Sequence, residues 1–210
     1  DWSLINLIFH PKKSQLNYLA HLFLSGSNTD LMIGNYIGDS LKGVDIAKFN
    51  SSIQNGVKLH RYIDQYTDNH PVVAESKLLI RHEFSKFTPV VIDVYYDYFL
   101  ANTWHNHSKV SLDSFALKKY ALLQDNHDVL PYGAQRFLHY MQSNNILVAY
   151  KTMKGIAKVF WGMSHRTKFK SRMELAHEIL PAFEDQISVQ FNSFFEDLKN
   201  EVRAKFNVDI

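Results

Sequence analysis

Asp93 and Asp97 are the only charged residues in the otherwise apolar run Thr88–Leu100, TPVVIDVYYDYFL. Four positions apart, they lie about 40° from each other around a helix, on one face. A helix apolar nearly all round belongs in the interior. A buried carboxylate there needs a cation, a donor network or a metal, because it loses several kcal/mol of solvation without one. The stretch Ser51–Tyr66 repeats the pattern. His60 and Asp64 share a face with Ile53, Val57 and Ile63, while Gln54, Lys58 and Gln65 fall on the opposite side. An imidazole and a carboxylate together on an apolar face suit a metal ligand and a second ligand or orienting group. Arg61 and Asp68 stand at the edge of that face. Upstream, Asp39 follows Gly34-Asn35-Tyr36-Ile37-Gly38. Two glycines cost a helix about 1 kcal/mol each relative to Ala, so their presence points to close backbone packing or a ligand's approach near Asp39. His21 interrupts the apolar run Tyr18–Leu24.

His21, Asp39, His60, Asp64, Asp93 and Asp97 together offer mixed nitrogen and oxygen donors. Such a set suits Mn²⁺, Mg²⁺ or Fe²⁺ more than structural zinc. A divalent ion of this kind can polarise a phosphoryl oxygen and make water nucleophilic near neutral pH. The competing reading is a core network in which Arg or N–H groups pair the acids. No Gly-rich phosphate loop of P-loop spacing and no G-x-S-x-G elbow occurs, so a covalent serine mechanism has no support. The absence of cysteine excludes disulfides, thiolate catalysis and Cys-ligated metal.

The elements that must position these residues read as helices. Gly and Pro are sparse and apolar residues recur at helical spacing. Helices are expected over Asp30–Leu41, Ser51–Tyr66, Pro71–Phe84, Thr88–Asn102, Ser111–Gln124, Tyr132–Gln142 and Ile146–Phe160. A long last helix is expected over Ser171–Phe206, kinked at Pro181. Thr88 and Ser111 are read as N-caps, with Pro89 in the first turn. No stretch alternates with period 2 over a strand's length, so the fold class is all-α. The 210 residues fit one domain. No apolar run approaches the roughly 18 residues that span a bilayer. The short apolar stretch Leu4–Phe9 has no basic flank or cleavage site. A cytoplasmic protein is expected.

The net charge of +2 hides an asymmetry: Val129–Met173 holds eight of the chain's 23 Lys and Arg residues and none of its 21 acids. That stretch includes Arg136, Lys151, Lys154, Lys158 and Arg166. It is either a solvated basic face or a docking surface for an acidic partner.

Four motifs carry a family resemblance: Asn17-Tyr18-Leu19-Ala20-His21-Leu22, Gly34-Asn35-x-x-x-Asp39, Gly56-x-x-x-His60-Arg61-x-Ile63-Asp64-x-x-Thr67-Asp68 and Asp93-x-x-x-Asp97-x-Phe99-Leu100. In order and spacing they resemble the acyl carrier protein phosphodiesterases, from about Leu16 to the C-terminus. The segments Arg136-Phe137-Leu138 and Asn144–Tyr150 are similar too. That family is similar to HD-type metal phosphohydrolases in a divergent helical bundle, although a plain His-Asp doublet is absent here. The resemblance implies removal of 4′-phosphopantetheine from the serine of holo-acyl carrier protein, usually with Mn²⁺. It puts Asp39 and His60 at metal-site positions, with Asp64 and Asp97 as further ligands or as the water-orienting base, and His21 as a further ligand. Asp64 and Asp93 become catalytic candidates, and Arg61 offsets developing charge. Carrier proteins are small and acidic, which gives Arg136, Lys151, Lys154 and Lys158 a docking role. Leu16 stands where the family has its initiating Met, so Asp1–Gln15 is read as an upstream or non-native extension ahead of a single hydrolase domain, 16–210. The alternatives are an HD-like hydrolase for a nucleotide or other small phosphoester, and a helical binding module without catalysis. Nucleic-acid binding has no supporting motif.

Overall fold

The computed structural model describes residues 18–210, and among these there are helices and no strand. The reading of Asp1–Gln15 as an extension, and the motif residue Asn17, lie outside the described residues. Helix α1 (Tyr18–Leu24) is buried along its whole length. Helix α2 (Thr29–Ile37) opens on Asn28, whose side chain accepts from the Leu31 amide at 2.9 Å. Helix α3 (Ser51–Asn69) opens on Asn50, which accepts from the Ile53 amide at 2.9 Å. Each cap satisfies one of the backbone donors that a helix start leaves free.

Helices α4 (Pro71–Phe84) and α5 (Thr88–Asn102) carry proline in their first turns. Thr88 does not cap α5 as expected. A 3₁₀ turn over Ser85–Phe87 runs straight into the helix, so Thr88 already lies inside it and its buried hydroxyl has no hydrogen-bond partner. The expected centrality of α5 is observed: Val91, Ile92, Val94, Tyr95, Phe99 and Leu100 are all buried. Its Tyr96 ring packs on Phe191 and Phe194, with centroids 5.5 and 5.3 Å away. The Tyr96 hydroxyl sits 2.9 Å from Ser76 Oγ, which donates to Gln190 Oε1 at 2.7 Å. This chain of contacts ties α4 and α5 to the last helix.

Helix α6 (Leu112–Asp125) starts from the expected Ser111 cap, and α7 (Tyr132–Ser143) follows. The single helix expected over Ile146–Phe160 is instead two, α8 (Ile146–Ala149) and α9 (Met153–Ser164). Thr152 turns extended between them and caps α9 by accepting from the Gly155 amide at 3.0 Å. The C-terminal helix is also broken rather than kinked. Helix α10 (Ala176–Ile179) passes into a 3₁₀ turn at Leu180–Ala182, and α11 (Glu184–Phe206) begins only after Phe183. Pro181 has no N–H to continue the ladder and crowds the preceding turn. No helix among the described residues is long and apolar enough to cross a membrane.

Helices α2 and α3 cross backbone to backbone. A Cβ on Gly34 would run into the Ile53 carbonyl oxygen, and one on Gly56 into the Leu31 carbonyl oxygen. The two glycines thus permit an approach closed to any other residue, and it sets the C-terminal end of α2 against the middle of α3.

Candidate metal centre

Three elements converge at that crossing. Helix α1 supplies His21, the 3₁₀ turn Gly38–Ser40 at the end of α2 supplies Asp39, and α3 supplies His60 and Asp64. Gly38 makes room for the His60 ring, since a Cβ there would overlap its Cγ and Cδ2. The His21 and His60 rings stack at 30° with centroids 4.4 Å apart. Asp64 bridges them, with Oδ1 3.3 Å from His21 Nε2 and Oδ2 3.4 Å from His60 Nε2. Asp39 Oδ1 approaches the same His60 Nε2 at 3.3 Å. Both imidazoles are buried, while Asp64 and Asp39 keep 24% and 16% of their side-chain surface exposed. The carboxylates are therefore the more exposed members of the cluster.

One donor atom from each of His21, His60 and Asp64 lies within 4.8 Å of the others. His21 Nε2 and Asp39 Oδ2 are buried without a hydrogen-bond partner. Burial acts to lower the His60 pKa, but the Asp39 hydrogen bond and the charges of Asp64 and Asp39 outweigh it and raise the imidazole above its ordinary range. The pocket therefore favours positive charge between its carboxylates. The donor set, two imidazole nitrogens with carboxylate oxygens around unpartnered atoms, fits a divalent cation.

The remaining expected site residues are Asp97, Asp93 and Arg61. Asp97, expected as a ligand, has both oxygens engaged at the start of α1. They accept from the Leu19 and Ala20 amides, each at 3.0 Å. Burial pushes its carboxyl well above the ordinary range, against the lowering effect of those two amides. Asp97 thus caps, from 77–78 residues away, the helix that carries His21. Asp93, one turn earlier, is also buried, and its Oδ2 has no partner. Burial raises its pKa most, the nearby Lys77 charge lowers it, and the charges of Asp64, Asp68 and Asp97 raise it again. Arg61 is exposed and lines a groove of about 750 Å³ with Lys58, Tyr62, Gln65 and Lys205; none of the four cluster residues lines that groove.

Arg166 belongs to the acid-free stretch, and no motif singles it out. Its guanidinium stands 5.0 Å over the Tyr140 ring. Its charge acts on the buried Tyr18 phenol, as do those of Asp39 and Asp64. Burial raises that phenol first, and the two carboxylates add to the rise while Arg166 opposes it. Lys151, Lys154 and Lys158 are exposed, whereas Arg136 is half-buried with its guanidinium 5.7 Å over the Tyr132 ring. Tyr132, Trp161 and Phe169, from the same acid-free stretch, are large exposed aromatics. Asn35, part of the motif Gly34-Asn35-x-x-x-Asp39 but assigned no role there, is a fully buried amide inside the apolar stripe of α2. A polar residue at a core position was the available signal.

Fold and site define an all-α protein with a cluster of two buried histidines and two part-buried carboxylates. Residues 16–198 match the family model described as acyl carrier protein phosphodiesterase. An acyl carrier protein phosphodiesterase of Escherichia coli O6:H1, strain CFT073, is 30% identical over 195 residues, covering 90% of this chain and 99% of that protein. The protein of the same description from Serratia proteamaculans, strain 568, is 25% identical over 191 residues, again covering 90% and 99%. No solved structure gives a significant match. The chain belongs to the acyl carrier protein phosphodiesterase family.

Proposed function

We propose that this chain hydrolyses the phosphodiester linking 4′-phosphopantetheine to the serine of holo-acyl carrier protein, in the cytosol, with Mn²⁺ as the preferred ion and Mg²⁺ or Fe²⁺ as substitutes. The observation that carries the reading is the His21–Asp64–His60 cluster, in a chain whose relatives are named for this activity. Kinship with HD-type hydrolases is part of the same proposal. His21, His60 and Asp64 hold the cation. When bound, it supplies a Lewis acid for a phosphoryl oxygen and eases loss of a proton from water.

The chain's own groups do the rest. Asp39 Oδ2, buried and unpartnered, accepts the proton of the attacking water as general base. Asp39, expected as a ligand, here takes the base's part, and Asp64, expected as a ligand or the base, the ligand's. The water oxygen bonds to phosphorus, the bond from phosphorus to the serine oxygen breaks, and the proton ends on that oxygen. The products are apo-carrier protein and 4′-phosphopantetheine. Arg166 rather than Arg61 faces the charge that develops, since it shares the Tyr18 neighbourhood with Asp39 and Asp64. Exposed Lys151, Lys154 and Lys158, with Arg136, draw in the acidic carrier protein, and Tyr132, Trp161 and Phe169 add apolar contact.

The test is incubation with holo-acyl carrier protein and Mn²⁺, read by intact mass. The expected result is loss of the phosphopantetheine mass, blocked by chelator and absent in His60→Ala and Asp39→Ala variants of unchanged helicity. No loss with metal bound would move the assignment to a nucleotide or other small phosphoester. No loss and no metal would leave a helical binding module.

A further inference from the structure

The unused buried amide beside the cluster has a hydrogen-bond pattern that admits one orientation. Asn35 Nδ2 lies 2.8 Å from the His21 carbonyl oxygen and 2.9 Å from Ser25 Oγ. A carbonyl only accepts, so the atom facing it must be the amide nitrogen. Ser25 commits its own proton to the same His21 carbonyl at 2.8 Å, so toward Asn35 it too accepts. Asn35 Oδ1 is therefore the atom 2.7 Å from His21 Nδ1, and an oxygen that only accepts requires that nitrogen to carry a proton. In a neutral imidazole this leaves the lone pair on Nε2, the atom that is buried without a partner and faces Asp64 Oδ1 at 3.3 Å. A lone pair set against a carboxylate oxygen repels unless a cation stands between them.

We propose that Asn35 is the positioning residue of this centre, holding His21 as the Nδ1–H tautomer so that Nε2 is presented as a ligand. Its role as a ligand-orienting group rests on the metal-site reading above, whereas the tautomer assignment stands without it. The two halves of the amide do separate work. The oxygen sets the tautomer, and the nitrogen ties the end of α1 to α2 through His21 O and Ser25. Conserving the acceptor while removing the donors separates them: Asn35→Asp keeps an oxygen toward Nδ1, and Asn35→Ala removes both.

Long-range proton–nitrogen correlation spectra of the metal-free protein, recorded across a pH series, read directly which imidazole nitrogen carries the proton. Calorimetry with Mn²⁺ reads affinity, and circular dichroism reads the fold. Wild type should give His21 as Nδ1–H. Asn35→Ala should lose the single tautomer and bind Mn²⁺ roughly 10–100-fold more weakly. Asn35→Asp should keep the tautomer and stay within about tenfold of wild-type affinity, even if it is less stable than wild type. A wild-type His21 found as Nε2–H would overturn the proposal. So would Asn35→Ala with the Nδ1–H signature and undiminished affinity. If wild type binds no Mn²⁺, the orienting role falls together with the metal-site reading, while the spectra still decide the tautomer.

Discussion

Asp97 separates a ligand from a cap. Its two oxygens each hold one amide of α1, both buried and both at 3.0 Å. Truncating Asp97→Ala leaves two donors without partners, and each buried unsatisfied donor costs about 1–3 kcal/mol. The sum, about 2–6 kcal/mol, is a large share of a stability of about 5–15 kcal/mol. Asp97→Asn keeps one acceptor and turns an N–H₂ toward the other amide, so it should lose about half as much, roughly 1–3 kcal/mol. Urea denaturation in chelator reads this loss without any metal contribution, and Mn²⁺ titration of the folded protein at low denaturant reads affinity separately. A cap predicts a lower urea midpoint for Asp97→Asn with Mn²⁺ affinity within a few-fold of wild type, since His21, His60 and Asp64 are untouched. An Asp97→Asn protein with the wild-type midpoint in chelator and severely weakened Mn²⁺ binding would refute the cap and restore Asp97 as a ligand.

Gly38→Ala should displace the His60 ring, lowering stability by about 1–3 kcal/mol and weakening Mn²⁺ binding, both measurable on the same samples. Replacing Lys151, Lys154 and Lys158 together by Glu should raise KM for holo-carrier protein with little change in kcat. That penalty should shrink as salt shortens the screening length, which steady-state assays across a salt series will check. Lys119 donates to the Gly26 carbonyl at 2.8 Å, and burial first, then the Lys118 charge, lowers its pKa to about 8. Between that value and its ordinary 10.5 the unfolded chain binds the extra proton, so stability contributed by Lys119 rises with pH. The difference in urea midpoint between wild type and Lys119→Met should therefore grow in favour of wild type from pH about 7.5 to about 9.5.

Most of this architecture could be read from local signals. Pro71, Pro89 and Ser111 mark helix starts that the structure keeps within a residue. The breaks at Thr152 and Pro181 were missed or softened because a capping Thr or a single Pro inside an apolar rhythm changes the path without changing the rhythm. In the site, His60 and Asp64 were legible because two polar groups one turn apart on an apolar face have few other uses. The glycines near Asp39 were legible as close packing, which Gly34 provides against the Ile53 carbonyl and Gly38 against the His60 ring. Asp97 was legible as buried but not as a cap, because an apolar helix face demands a partner for a carboxylate without saying which. Its partners lie 77 and 78 residues away and are backbone amides, which carry no sequence signature. Arg61 shows where chain adjacency stops informing: it neighbours His60 in sequence, and in the fold its side chain is exposed along the groove with Lys58 and Lys205.

The crossing of α2 and α3 has a consequence for the order in which the molecule assembles. Asp39 sits in the turn that ends α2 and His60 on α3, the next helix in the chain, and the two helices are locked by two glycines, so their half of the centre needs only a local loop to close. His21 arrives on a seven-residue helix, too short to persist alone, whose start is held by Asp97 from far along the chain. Closing that distant contact carries the larger loop entropy. The two-helix half should form early as a local hairpin, and the third donor should dock only when α5 is in place, so that a complete donor set is itself a report that the core has closed.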